Sequence, residues 1–191
     1  FLVTDEAKWI IREEILPYYE GKTTEERARA LMPKDTLELM DYQYPVFSPQ
    51  NMLSNMVGHV IMDYEKVLKI GFRGIRKQTE EKLAALDMTD PEAELIVCDA
   101  VIEYARRYSE LAREMAAAEH NLQRKQELVE IAEICSWVPA NPARNFHEAV
   151  QSYCFAHLLG HFETDAQAIS SGRFDYIVGP YYERDIANGK L

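Results

Sequence analysis

His157 and His161 stand four positions apart in "FAHLLGHFE", with Glu163 just beyond. On a helix that spacing puts both imidazoles on one face, as a metal site requires. The glutamate of an HExxH pattern is missing and no third ligand is evident, so two partly buried polar side chains near a helix end is the better reading. Cys98, Cys135 and Cys154 form no CxxC pair. Cys98 and Cys154 fall among apolar residues at helical spacing, where a free thiol behaves as a small hydrophobe, and nothing nearby would activate any of the three as a nucleophile. "GKTTEE" lacks the first glycine of a phosphate loop. His59 opens "GHVIMDYEKVLKIGFRGI", an amphipathic stretch carrying Gly71 and Gly74 where a helix least favours glycine. From residue types alone, His59 can be a cap, a core residue or part of a site. No local motif reads out a function.

These residues must be positioned by helices. Thr4 can cap a helix through Trp9, Ile10 and Ile11 that stops before Pro17, and Thr23 with Glu26 forms a capping box ahead of a helix ended by Pro33. "QYPVFSPQNMLSN" reads as an irregular loop. From His59, apolar residues at Val60, Tyr64, Val67, Leu68, Phe72 and Ile75 follow the 3.6-residue period. Asp90 and Pro91 restart a helix with an inner stripe at Val97, Val101, Ala105, Tyr108, Ala112 and Met115. A further amphipathic segment from "NLQRKQ" ends at "PANPAR", and Asn145 with Glu148 opens the next helix. "LLGHFE" could end in a short strand, and the tyrosines Tyr176, Tyr181 and Tyr182 suit core or interface better than a cofactor box. The fold class expected is mostly α.

Composition narrows the functions. The 191 residues are 47% hydrophobic and 28% charged, ordinary for a globular chain with a real core. A net charge of −11 argues against a nucleic-acid partner, which needs clustered Lys and Arg. No apolar run suits a bilayer span, and no secretion signal is visible, so no membrane partner is expected. Three cysteines, an odd number without pattern, fit a reduced cytoplasmic setting. The start at Phe1 and the stop at "ANGKL" suggest a piece of something larger.

Longer stretches carry a resemblance. "GHVIMDYEKVLKIGFRGI", "IVCDAVIEYARRYSELAREMA", "WVPANPARNFHEAVQSYCFAHLL" and "ISSGRFDYIVGPYYERDI" occur in order and cover nearly the whole chain. Together they resemble the glycyl radical enzymes, in the pyruvate formate-lyase-like and glycerol dehydratase-like branch. The resemblance implies a ten-stranded α/β barrel, of which residues 1–191 would be the N-terminal helical part, incomplete and without the glycyl radical domain. It implies a homodimer acting on a small-molecule substrate. No cofactor or metal would be bound by the chain itself; an S-adenosylmethionine-dependent iron–sulfur activating enzyme would install the radical. Oxygen sensitivity would place it in an anaerobic cytoplasm.

The same resemblance assigns site residues. A histidine and a serine of the matching segments line the substrate pocket in the dehydratase branch. They fall at His59, which would assist departure of a hydroxyl as general acid, and at Ser170, which would hydrogen-bond a substrate hydroxyl. Arg73 and Arg173 are candidate structural or substrate-anion ligands, with a surface ion pair the commoner fate. Three departures stand out. The family's catalytic cysteine loop and glycyl radical motif lie outside these residues. The junction at "DPEAELIVCD" is shorter than the family's, which points to residues missing near Glu94 and Leu95. Ser171 stands where proline is usual, and the preceding "FETDAQA" departs from the family's more Gly- and Ser-containing approach. The competing class is a non-catalytic helical binding or structural module.

Overall fold

The computed structural model describes residues 3–40, 60–85, 92–164 and 168–191. The chain divides into two compact units, one formed by residues 1–58 with 164–167 and the other by residues 59–163 with 168–191.

In the first unit, Thr4 caps α1 (Asp5–Ile10) by accepting a hydrogen bond from the Ala7 amide at 3.2 Å. The helix does not stop before Pro17. It passes through a π turn at Ile11–Ile15 into α2 (Leu16–Tyr19), with the Leu16 amide donating to the Ile11 carbonyl. Proline crowds the preceding turn and donates nothing, and the wider turn just ahead of Pro17 lets the helix continue. The expected capping box forms ahead of α3 (Thr24–Leu31): the Glu26 amide donates to the Thr23 hydroxyl, and the Glu26 carboxylate accepts from the Thr23 amide at 3.1 Å. A short α4 (Lys34–Met40) follows directly after Pro33. The loop expected at "QYPVFSPQNMLSN" lies outside the described residues.

The second unit begins with a departure from helical periodicity. Val60 and Ile61 form a short strand, β1, and the helix starts only at Tyr64. That helix, α5 (Tyr64–Ala85), is broken at Gly71, where φ is 65° and ψ is 173°. A side chain cannot follow that backbone without strain. The break receives the turn after α7 (Leu122–Trp137), which contains the cis Val138–Pro139 bond. Phe72 N–H donates to the Pro139 carbonyl at 2.9 Å, Arg73 N–H to Ala140 at 3.0 Å, and Ala143 N–H to Leu68 at 3.0 Å. A Cβ on Gly71 would lie 2.5 Å from the Ala140 oxygen. The glycine is there for a close backbone approach.

Between α5 and α7 runs α6 (Glu92–Ala118), which includes Glu94 and Leu95. Asp90 and Pro91, expected to open it, lie outside the described residues. Its buried stripe is Cys98, Val101, Ala105, Ser109, Ala112 and Ala116, while Tyr108 and Met115 are exposed. The expected stripe is therefore rotated: Ser109 turns inward because its hydroxyl donates to the Ala132 carbonyl at 2.7 Å. In α8 (Phe146–Thr164), Asn145 accepts from the Glu148 amide at 2.8 Å. Glu148 does not close a box onto Asn145; its carboxylate takes the Arg144 amide and guanidinium instead. α8 continues through "LLGHFE", so the short strand expected there is absent. The strand is β2 (Ile169–Ser170), followed by α9 (Phe174–Ala187). Three buried clusters bind the unit: Tyr64, Val67, Tyr153 and Ala156; Leu68, Ala149 and Val178; and Ala105, Cys135 and Phe155. Among the described residues no helix is long and apolar enough to cross a membrane.

Candidate functional site

β1 and β2 pair in parallel, with Val60 opposite Ile169 and Ile61 opposite Ser170. Parallel neighbours need a crossover between them, and here α5 to α8 supply it. Along β2 the side chains alternate: Ile169 is buried and Ser170 is exposed. Ile169 turns toward α8, where a Cβ on Gly160 would lie 3.4 Å from its Cδ1 and 2.6 Å from the Met62 sulfur. Gly160 thus lets α8 lie close behind the strand pair. Gly172, at φ 61°, ends β2 in a turn where a side chain would meet Ile61. The Ser170 hydroxyl accepts from the Gly172 amide at 3.3 Å and keeps its own proton for donation.

Behind β2 sits a polar aromatic group that periodicity reads only as core. Tyr64 and Tyr153 stack with centroids 4.1 Å apart and planes at 28°. The Tyr64 hydroxyl is 2.6 Å from His157 Nδ1 and 3.4 Å from the Ser170 carbonyl, to which it can donate. The Tyr153 hydroxyl donates to the Ser171 carbonyl at 2.8 Å. Burial raises the Tyr64 phenol well above its ordinary pKa, helped by Tyr153, and burial also raises Tyr153. Burial lowers the His157 pKa, and the nearby His161 lowers it further, so His157 is held neutral; with its proton on Nδ1 it donates to the Tyr64 oxygen and leaves the phenol proton for the Ser170 carbonyl. The signal in the sequence was tyrosine where phenylalanine would pack as well, yet only the fold shows what the hydroxyls reach.

The other expected residues fall as follows. His59 lies outside the described residues. The His157 and His161 rings are 4.8 Å apart on α8, and among the described residues no three or more His, Cys, Asp or Glu side chains gather as a metal site. Cys98 and Cys135 are buried, and burial pushes the Cys135 thiol up to about 11. Cys154, expected among apolar neighbours, is exposed on α8 instead. Arg73 donates to the Asn141 side chain at 3.1 Å and so braces the turn at the Gly71 break. Arg173 pairs with Asp175 at 2.8 Å on the surface, which holds the carboxyl down at about 2. The Tyr181 hydroxyl donates to the Leu68 carbonyl at 3.3 Å, whereas Tyr176 and Tyr182 are exposed. A cavity of about 690 Å³ opens between α5 and α9, with Glu65, Lys69 and Tyr181 on its wall; Ser170 is not among its lining residues.

A parallel strand pair backed by helices, each strand feeding a helix, is an α/β unit of the kind found in both open sheets and barrels. The whole chain, residues 1–191, matches the pyruvate formate lyase-like family. An isethionate sulfite-lyase of Oleidesulfovibrio alaskensis is 41% identical over all of this chain, and a trans-4-hydroxy-L-proline dehydratase of Clostridioides difficile is 34% identical. Among solved structures, one concerned with 1,2-propanediol dehydration in Roseburia inulinivorans superposes with a TM-score of 0.82 at 39% identity, covering 100% of this chain and 25% of that one. The glycerol-bound B12-independent glycerol dehydratase of Clostridium butyricum gives 0.77 at 38% identity, covering 96% of this chain and 24% of that one. The chain belongs to the pyruvate formate lyase-like family of glycyl radical enzymes. It spans 25% of the length of each of the two curated relatives, and its helices are part of that family's barrel architecture.

Proposed function

We propose that residues 1–191 are the N-terminal part of a glycyl radical lyase of the dehydratase-like type, acting on a small hydroxylated substrate. In the longer polypeptide a glycyl radical and a cysteine thiyl would supply hydrogen abstraction, and elimination of water, an amine or sulfite, or carbon–carbon cleavage, would follow. This chain's contribution is to bind and to move a proton. His59 donates a proton to the departing hydroxyl, and Ser170 hydrogen-bonds a substrate hydroxyl and orients it. The observation that supports this assignment is the parallel pairing of Val60–Ile61 with Ile169–Ser170: the residue after His59 lies opposite the residue before Ser170.

The reading carries partners with it. A separate S-adenosylmethionine-dependent iron–sulfur enzyme installs the radical, the lyase is a homodimer, and it works in an anaerobic cytoplasm. Residues missing near Glu94 and Leu95 belong to the same reading. The alignment with the isethionate sulfite-lyase runs over 208 positions against 191 residues here, which supports a shortened segment. The test of the site is His59→Ala in the full-length, radical-loaded enzyme. General acid assistance is worth about 10²–10⁴-fold, so kcat should fall by that much with radical content unchanged. A fall of tenfold or less would remove His59 from the chemistry. The intact mass of the source polypeptide checks the rest: several times the mass of this chain is expected, and a stable product ending at Leu191 would refute the enzyme.

A further inference from the structure

We propose that Tyr64 and Tyr153 are positioning residues that fix Ser170 through the backbone of β2, an inference that rests on Ser170 contacting substrate. Among the described residues the ladder between β1 and β2 is two residues long. Two positions past the end of β2 comes Gly172 at φ 61°, a point where the chain is intrinsically free. What holds the carbonyls of Ser170 and Ser171 is a pair of phenols from two different helices. Tyr153 donates to Ser171 at 2.8 Å, and Tyr64 lies 3.4 Å from the Ser170 carbonyl while its oxygen meets His157 at 2.6 Å.

Phenylalanine at either position would fill the same space. Tyr64 is 1% and Tyr153 5% exposed, so each hydroxyl loses water on folding and must regain a partner inside. Both hydroxyls find acceptors at the end of one two-residue strand. Stacking of the two rings couples them, so they act as one brace. His157, neutral through burial and the neighbouring His161, orients the Tyr64 hydroxyl from the far side. The brace meets the backbone only, which leaves the exposed Ser170 hydroxyl free of competition from either phenol.

The experiment is a double-mutant cycle in the full-length, radical-loaded enzyme with Tyr153→Phe and Ser170→Ala. Tyr153→Phe should lower kcat/KM about tenfold, the weight of one ordinary hydrogen bond, mainly by raising KM. In the Ser170→Ala background the same substitution should change kcat/KM less than about twofold, because the residue it positions is gone. Tyr64→Phe serves as the second variant should Tyr153→Phe not fold, with a smaller rise in KM, about threefold, because its reach to the Ser170 carbonyl is 3.4 Å, and with the same loss of effect in the Ser170→Ala background. Tyr181→Phe is the control: it also removes a phenol bonded to a backbone carbonyl, that of Leu68, but away from β2, and should leave KM unchanged. Additive effects of Tyr153→Phe and Ser170→Ala, or a lower melting temperature with unchanged KM, would overturn the positioning role while Ser170 keeps its own. A Ser170→Ala enzyme with normal KM and kcat would overturn both.

Discussion

Replacing Gly71 with alanine tests the most constrained backbone in the second unit. Its φ of 65° with ψ of 173° lies in a region open essentially to glycine, worth about 1–3 kcal/mol of strain for any other residue. The new methyl would sit 2.5–2.7 Å from the Ala140 oxygen and from the Asn141 backbone, atoms that cannot rotate aside. Overpacking of that kind adds about 1–3 kcal/mol. Alternatively the turn withdraws and gives up the bonds from Phe72, Arg73 and Ala143, at about 1 kcal/mol each. The first route comes to about 2–6 kcal/mol and the second to about 3 kcal/mol, so about 3 kcal/mol is expected. Amide hydrogen exchange reads it locally: the three amides should exchange roughly a hundredfold faster, at about 1.4 kcal/mol per tenfold. Gly21→Ala separates the causes, since Gly21 has φ 73° but nothing within 4 Å of a built Cβ. That variant should lose only about 1 kcal/mol. Exchange at Phe72, Arg73 and Ala143 in Gly71→Ala within about fivefold of the parent would refute the reasoning.

Other outcomes are expected. Glu148 is 2% exposed in its side chain and holds both the Arg144 amide and guanidinium, so Glu148→Ala should cost about 2 kcal/mol or more by thermal or denaturant unfolding. The His157 pKa is lowered in the folded chain, so its contribution to stability is present above the ordinary histidine value near 6.5 and is lost as pH falls from there through the folded value. Imidazole titration by NMR should therefore show His157 protonating at lower pH than a free histidine, and His157→Gln should flatten the acid limb of the stability profile. Desolvation raises both thiols, but Cys154 is exposed and should alkylate at pH 8 before buried Cys135, whose thiol is pushed up to about 11. Mass spectrometry of the tryptic peptide from Leu83 to Arg106 should reveal additional residues near Glu94 and Leu95; a mass matching the present sequence would establish the short junction as genuine.

Local order decides much of this chain. Thr4, the Thr23–Glu26 box and Asn145 each satisfy helix-end amides within a few residues of themselves, so their roles were readable before any fold. Family membership was legible too, because long segments agreeing in order need no tertiary information. Tertiary structure decided what depends on distant partners. Gly71 is glycine because the Pro139–Asn141 backbone docks on it, and no local pattern shows that approach. The 3.6 period ran the helix back through Val60, yet pairing with Ile169 draws that segment into a strand. Pro17 lies within a continuous helix because a π turn precedes it, a backbone adjustment with no sequence mark. Tyr64 and the Ser170 carbonyl are 106 positions apart, so the phenol's role exists only once the crossover has closed. Capping and periodicity report interactions within a turn or two; hydrogen bonds between distant segments are chosen by the packing of the whole unit.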